Sequence, residues 1–197
     1  PIFIDKLIVQ DRSSLKKFQK ISKDRLYMSC SSARYTSEIK KVSKIKNKIK
    51  KDTAFVVGYS KKNWIRYAHH LLEGIVKIFG YDVIKERCIS KQKNKTEIYQ
   101  LIYKNGLNVS LYFSENLYLP INFVCLKKST TPLYVPYKNY FFSIKKMMQE
   151  FEKMVRFKKN TIPVNEMIKI TKIVIAGDLS KKNSQSFYSP DSLSVIK

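Results

Sequence analysis

The stretch Tyr99–Phe113, which reads YQLIYKNGLNVSLYF, decides most of what can be inferred about the fold. Apolar and polar residues alternate on both sides of Asn105-Gly106, as they do in strands that bury one face. An Asn-Gly pair between two such runs is the strongest short signal for a β-hairpin with a two-residue type I′ turn. The stretch therefore predicts two antiparallel strands, 96–104 and 107–113.

Other strands and two amphipathic helices surround this hairpin. Apolar residues recur at helical spacing in 64–79 and in 144–157, after the capping residues Asn63 and Ser143. A shorter helix is predicted to end near Ser22. The further predicted strands are 2–9, 53–59, 82–90, 119–127 and 167–175.

The order of these elements predicts an α+β fold. We expect a strongly twisted, barrel-like antiparallel sheet with the two main helices packed on it. The segment from Gly177 onward is polar and rich in Ser, which is typical of a terminal tail. The predicted organisation is one domain over 1–176 and a polar tail over 177–197.

Composition limits the classes of protein to which the chain can belong. Its 197 residues include 39 Lys and Arg against 15 Asp and Glu, for a net charge of +24. Hydrophobic residues make up 44%, enough for a packed core. The chain has no run of 18 apolar residues that would predict a membrane-spanning helix, and its first residues do not resemble a secretory signal. Three dispersed cysteines, Cys30, Cys88 and Cys125, favour free buried thiols in a reducing compartment.

The positive charge is concentrated in the segment 40–51, KKVSKIKNKIKK. Val42, Ile45 and Ile49 fit one face of a helix, although two strand edges around a turn fit as well. The basic excess is mostly Lys rather than Arg, so it reflects either a function or the codon bias of an AT-rich genome. A polyanion site or a nuclear import signal would use Lys40, Lys41, Lys44, Lys46, Lys48, Lys50 and Lys51.

No pattern in the sequence predicts catalysis. His69 and His70 are adjacent, so on a helix they point about 100° apart and cannot share a metal ion. The chain contains no GxGxxG, GxxxxGK[ST] or GxSxG motif, and no predicted strand carries two alternate Glu residues. The sequence therefore predicts no enzyme, no metal and no cofactor.

The succession of packing and turn residues resembles the Mediator head-module subunit 18 family. A helix ends at Gly80-Tyr81, a strand leads to the turn Tyr103-Lys104-Asn105-Gly106, and an alternating strand and a C-terminal amphipathic helix follow. The resemblance implies a barrel-like sheet and a non-enzymatic role in a nuclear transcription coactivator linked to RNA polymerase II. The implied partners are Mediator subunits 20 and 8.

Contacts with such partners would use one face of the hairpin or of the last helix. The candidate residues are Leu107, Val109, Leu111, Met147 and Phe151. Which face of the sheet meets a partner stays open at this point. The alternative function is nucleic-acid binding through the basic segment 40–51, since basic charge flanked by tyrosines is how single strands are held.

Overall fold

The computed structural model describes residues 1–91, 95–129 and 131–196, with only the backbone of Lys91. Its strands are β1 (Ile2–Asp5), β2 (Tyr27–Cys30), β3 (Thr53–Lys61), β4 (Val83–Lys91), β5 (Thr96–Tyr103), β6 (Asn108–Ser114), β7 (Asn122–Lys127), β8 (Leu133–Pro136), β9 (Tyr188–Ser189) and β10 (Ser194–Val195). Its helices are α1 (Arg12–Ile21), α2 (Ser37–Lys44), α3 (Lys46–Asp52), α4 (Trp64–Phe79), α5 (Tyr140–Phe157) and α6 (Val164–Lys182), and a 3₁₀ helix spans Ser32–Tyr35. Within these ranges no helix has the length and apolar character needed to cross a bilayer.

The chain begins with a βαβ unit, the building block of Rossmann-type folds. β1 and β2 are parallel, with Ile2 opposite Tyr27, and α1 connects them. α1 begins where the Asp11 carboxylate accepts a hydrogen bond of 2.8 Å from the backbone of Ser14. Since the strands are parallel, the residues that directly follow β1 and β2 lie at the same edge of this small sheet.

The main sheet has eight strands in the order β10-β9-β4-β5-β6-β3-β7-β8. β3 pairs in parallel with β6, whereas β4 with β5, β5 with β6, and β3 with β7 are antiparallel. The sheet is therefore mixed. Among the described residues nothing joins its outer strands β10 and β8, so it is also open.

The expected α+β barrel is therefore wrong, and the architecture is α/β with an open mixed sheet. The reason is the helix that separates β3 from the meander β4-β5-β6. After α4 the chain returns to the sheet and lays β6 beside β3 in the parallel direction. Local alternation does not reveal this pairing, because Phe55 and Asn108 are opposite each other but far apart in sequence.

One face of the main sheet is covered by α4 and α6. The ring of Trp64, the first residue of α4, stacks on Tyr99 at 3.9 Å and donates a 2.8 Å hydrogen bond to the carbonyl of Val174 in α6. The Glu97 carboxylate accepts a bond of 2.9 Å from the Trp64 amide and also binds Lys181. This arrangement fixes the start of α4, and with it the positions of the histidines farther along.

The two main helices and the two hairpin strands are confirmed, although Asn139, and not the predicted Ser143, caps the second helix. α4 covers 64–79 as predicted, with Asn63 at its N-cap and Gly80 after its end, and α5 extends the predicted 144–157 helix to Tyr140. The hairpin turn is different from the predicted type. Tyr103 donates to the carbonyl of Leu107, and within 104–106 only Gly106 has a positive φ, of 83°. This pattern is typical of a three-residue loop ending in a left-handed Gly.

The strand predicted at 167–175 is wrong, because these residues lie in α6. α6 is buried on most of its sides, so it lacks an amphipathic period, and its β-branched residues mimic a strand. The predicted tail boundary at Gly177 falls inside this helix, and β9 and β10 extend the main sheet farther on. The segment 40–51 is helical and forms most of α2 and α3. Of the two alternatives left open for this segment, the helix is therefore correct and the pair of strand edges is wrong.

Candidate functional site

Two adjacent clefts meet at His70 on α4. The first encloses about 340 Å³ between α4, the 3₁₀ helix and the segment before β7, and its wall includes Ser31, Lys61 and Tyr118. The second encloses about 550 Å³ between α4 and the segment after β1, and its wall includes Lys6. Tyr67 and His70 contribute to both clefts. Since they are three residues apart, they share one face of α4, and their rings lie 5.2 Å apart.

Lys6 is held at the end of β1 in an uncommon backbone conformation. Its φ is 73°, in the left-handed region that residues with a Cβ seldom adopt. The Lys6 amide donates 3.2 Å to the carbonyl of Cys30, and its carbonyl accepts a bond from the Ser29 hydroxyl. Such strain persists only where the surroundings impose it, and it is concentrated at functional sites. The ammonium group of Lys6 lies 2.6 Å from the Asp5 carboxylate.

Ser31 follows β2 directly and reaches His70 at the same edge of the small sheet. Its hydroxyl oxygen lies 2.6 Å from Nδ1 of His70 and accepts a bond of 3.2 Å from the amide of Ala33. Burial, followed by the neighbouring side chains of His69 and Lys6, lowers the pKa of His70 to about 4. At neutral pH the ring is uncharged, and Ser31 fixes its orientation.

A buried ionic network lies beneath this site. Arg34 is 2.8 Å from one oxygen of Glu73 and also binds Glu166. Nε2 of His69 is 3.1 Å from the other Glu73 oxygen. Burial alone would raise the pKa of Glu73, but Arg34 outweighs it and holds that pKa below its usual value. The amide of Ser31 lies 3.4 Å from the same carboxylate, so the network also anchors the residue that orients His70.

The seven lysines predicted as a polyanion or import site are exposed on α2 and α3. That role stays a prediction. Of the residues predicted to contact a partner, four are buried and Phe151 is partly buried, and the contact itself stays a prediction. Leu107, Val109 and Leu111 belong to the core under α4, Met147 is buried, and the ring of Phe151 packs on Phe3 at 5.6 Å. Within the described residues no group of three or more His, Cys, Asp or Glu is arranged to hold a metal ion.

The sequence interpretation missed Lys6, Ser31 and the position of His70. The two adjacent histidines have separate environments: His69 faces the buried ions, and His70 faces the clefts. One signal was available in the polar pair Asp5-Lys6. It stands at the end of the short strand β1, and the carboxyl ends of parallel strands are where α/β folds bind ligands.

Comparison with known proteins identifies the fold. No family model and no curated protein matches the chain. Solved structures do match. They include myo-inositol 2-dehydrogenase from Lactobacillus plantarum (TM-score 0.73, 13% identity, 95% of this chain and 72% of that one). Myo-inositol dehydrogenase from Lactobacillus casei, solved with NAD(H) and myo-inositol, gives a TM-score of 0.74 at 11% identity, over 99% and 70%. An oxidoreductase from Agrobacterium radiobacter, solved with NAD⁺, L-tartaric acid and magnesium, matches with a TM-score of 0.74 and 12% identity. The match covers 98% of this chain and 74% of that one.

The fold is that of these oxidoreductases. The resemblance to Mediator subunit 18 is therefore wrong, and so are the scaffolding role and the partners that it implied, subunits 20 and 8. The expectation of a non-enzymatic protein is overturned by the same finding, since the matching structures are dehydrogenases and a related oxidoreductase. The matches give no support to the alternative of a nucleic-acid-binding protein, and the polyanion site on α2 and α3 stays a prediction. A nuclear location stays a prediction that has lost the support of the resemblance.

Proposed function

We propose that the chain forms the substrate side of an oxidoreductase that acts on a small polyhydroxylated compound. The observation that carries the proposal is that Lys6 and His70 border one cleft, which begins at the carboxyl end of β1. The likeness of the fold to polyol dehydrogenases favours this chemistry by analogy.

Oxidation of an alcohol removes the proton from the hydroxyl oxygen and a hydride from the carbon that bears this oxygen. The hydride would pass to a separate electron acceptor, to which no residue of this chain is assigned. A neutral imidazole accepts a hydrogen bond from such a hydroxyl, and Ser31 leaves the ring in a fixed orientation to do so. The oxygen becomes negative as its proton leaves, which raises the proton affinity of the adjacent His70 ring. The Lys6 ammonium stabilises the same developing charge. His70 is thus the proton acceptor and Lys6 the electrostatic partner.

The first cleft supplies contacts suited to a polyol. The rings of Tyr67, Tyr118 and Tyr140 offer apolar surfaces with hydroxyl groups at their tips, and Ser32 and Lys61 add polar groups. Ligand sites commonly combine apolar walls with a few placed polar groups. Two of the matching structures were solved with polyhydroxylated molecules, myo-inositol and L-tartaric acid.

The same two structures also contain a nicotinamide cofactor, but the residues of this chain do not fit one. A dinucleotide normally lies on a Gly-rich turn between a first strand and a helix. Here the turn after β1 reads KLIVQD, with no glycine, and the chain contains no GxGxxG motif. The proposal therefore assigns only substrate binding and proton transfer to this chain.

Calorimetric titration with myo-inositol and L-tartrate tests the proposal. We expect His70→Asn and Lys6→Met each to weaken the binding of at least one of the two compounds by about tenfold, since each removes a polar contact in the cleft. Lys16→Met, on the exposed face of α1, is the matched control and should bind as the unmodified chain does. Absence of binding, or equal affinity in all three variants, would refute the proposal.

A further inference from the structure

A third cleft opens at the other end of α4, away from His70. It encloses about 430 Å³ between the 3₁₀ helix, α2, α4 and α5. Its wall is mostly cationic, and Glu150 is its one acidic group. The lining residues are Arg34, Tyr35, Lys40, Lys77, Lys146, Glu150, Lys153 and Thr161.

Lys77 is the innermost free cation of this cleft. Its ammonium donates 3.2 Å to the carbonyl of Arg34 and lies 5.0 Å from the centre of the Tyr35 ring. Burial, followed by the charge of Arg34, lowers the pKa of Lys77 to about 8. In the described ranges no carboxylate forms an ion pair with it. A half-buried ammonium held by one carbonyl and one ring has donors left for a ligand.

The other charges of the cleft leave a positive excess. Arg34 is engaged by two buried carboxylates, and Glu150 is 2.6 Å from Lys153. Lys146 donates 2.8 Å to the neutral amide of Gln149, and Lys40 is exposed at the rim. Lys40, Lys77 and Lys146 therefore bring three cations to one cavity with no carboxylate paired to them in the part of the chain described.

From this arrangement we infer that the third cleft binds the phosphoryl group of a small soluble molecule. Lysine ammonium groups are strong point-charge ligands for phosphate. The Arg34 guanidinium is already paired with Glu73 and Glu166, so the lysines are the cations left to bind the phosphoryl group. A cavity of this volume is within the usual range for a small ligand. The inference goes beyond the proposed function and does not depend on it.

The high net charge of the chain does not by itself explain this cluster. Apart from Lys40 at the rim of the cleft, the lysines of α2 and α3 are exposed on the surface, so water solvates each of them. Lys77 instead bears the cost of partial burial, which an anion would offset. The difference between these two kinds of lysine provides the test.

Calorimetric titration of the whole chain with inorganic phosphate, at constant ionic strength set with chloride, measures binding at the cleft. We expect saturable binding that Lys77→Met and Lys146→Met each weaken about tenfold, because each removes a charge-assisted contact. Lys44→Met removes an equal charge from the exposed face of α2 and should leave the affinity within about twofold. Lys146 is at the rim on α5, so its variant reports on binding even if Lys77→Met folds poorly.

Three outcomes would overturn the inference. The first is the absence of saturable heat up to about 10 mM phosphate, which corresponds to binding weaker than about 3 kcal/mol. The second is a loss of affinity in Lys44→Met equal to that in the cleft variants. The third is an unchanged affinity in Lys146→Met. None of them bears on polyol binding at His70, which is measured separately.

Discussion

The Ser31 hydroxyl lies 2.6 Å from Nδ1 of His70 and joins two residues that are 39 positions apart in the sequence. Ser31 is placed by the end of β2 and by its amide contact with Glu73, and His70 is placed by α4. The contact therefore exists only when the βαβ unit is docked on the main sheet. It is the point at which the two parts of the fold meet to form a site.

Ser31→Ala removes the partner of Nδ1 and frees the His70 ring to rotate. We expect polyol binding to weaken by about fivefold, because one hydrogen bond contributes on the order of 1 kcal/mol. Nitrogen-15 spectra of the imidazole should show a changed tautomer ratio. Ser13→Ala, near the exposed start of α1, should change neither readout. An unaltered imidazole spectrum in Ser31→Ala would show that the contact does not fix the ring.

The lowered pKa of His70 predicts a loss of stability in mild acid. The folded chain holds this ring neutral down to about pH 4, whereas the unfolded chain protonates it near pH 6.5. The unfolded state therefore binds more protons between these values, and the free energy of unfolding falls as the pH falls. From pH 7.5 to pH 5 the contribution is on the order of 1–2 kcal/mol.

Urea unfolding of the unmodified chain and of His70→Gln at both pH values isolates this contribution. The variant cannot protonate, so it should lose less stability than the unmodified chain between pH 7.5 and pH 5. Other groups and the net charge affect both proteins alike. Parallel losses in the two proteins would mean that His70 is not held neutral by the fold.

Glu86 predicts the opposite pH dependence. It is fully buried on β4, where its carboxyl group meets the charge of Lys169 and the backbone of Gly177. Burial raises its pKa well above the usual value, and the charge of Lys169 lowers it only in part. The folded state therefore keeps the proton of Glu86 up to a higher pH than the unfolded state does. This contribution to stability is complete below about pH 4 and is lost as the pH rises.

Glu86→Gln keeps the shape of the side chain and removes its titration. We expect the variant to be more stable than the unmodified chain at pH 8, by about 1–3 kcal/mol, and the gain to shrink towards pH 4. Thermal unfolding across this range measures the difference. Glu152→Gln, on the exposed side of α5, should change stability by less than about 1 kcal/mol at either pH. A gain for Glu86→Gln that does not vary with pH would contradict the assignment.

Local signals explain which parts of this fold the sequence predicts. Asn63 and Gly80 bracket α4 because capping is decided within one helical turn, and the β5–β6 hairpin follows from alternation around Gly106. The parallel pairing of β3 with β6 depends on the crossover through α4, β4 and β5, so nothing near Phe55 reveals it. α6 was mistaken for a strand because burial on most sides removes the amphipathic period.

The site was harder to predict than the fold. The sequence shows His70 only as one of two adjacent histidines on a helix. Its partner Ser31 and the ammonium of Lys6 come from strands that local patterns do not bring near it. Their association depends on the parallel register of β1 and β2, in which Asp5 lies opposite Cys30. Chemistry assembled from strand ends in this way leaves no fixed spacing in the sequence.

Gly177→Ala tests the packing that holds α4 in place. A methyl group at this position of α6 would lie 2.6 Å from ring atoms of Trp64. That ring cannot move aside easily, because it stacks on Tyr99 and donates to the carbonyl of Val174. At an exposed helical position the change from Gly to Ala stabilises a protein by up to about 1 kcal/mol. Here we expect a loss of about 1–3 kcal/mol from overpacking.

Chemical unfolding measures this loss, and the fluorescence of Trp64, the single tryptophan of the chain, reports on the ring itself. Its emission should change in the folded Gly177→Ala variant because the ring has to shift. The neighbouring variant Asp178→Ala removes a surface pair with Lys182 and should cost less than about 1 kcal/mol without altering the emission. A stabilised Gly177→Ala with unchanged emission would show that α6 does not press on Trp64, and the positioning of His70 through α4 would need another explanation.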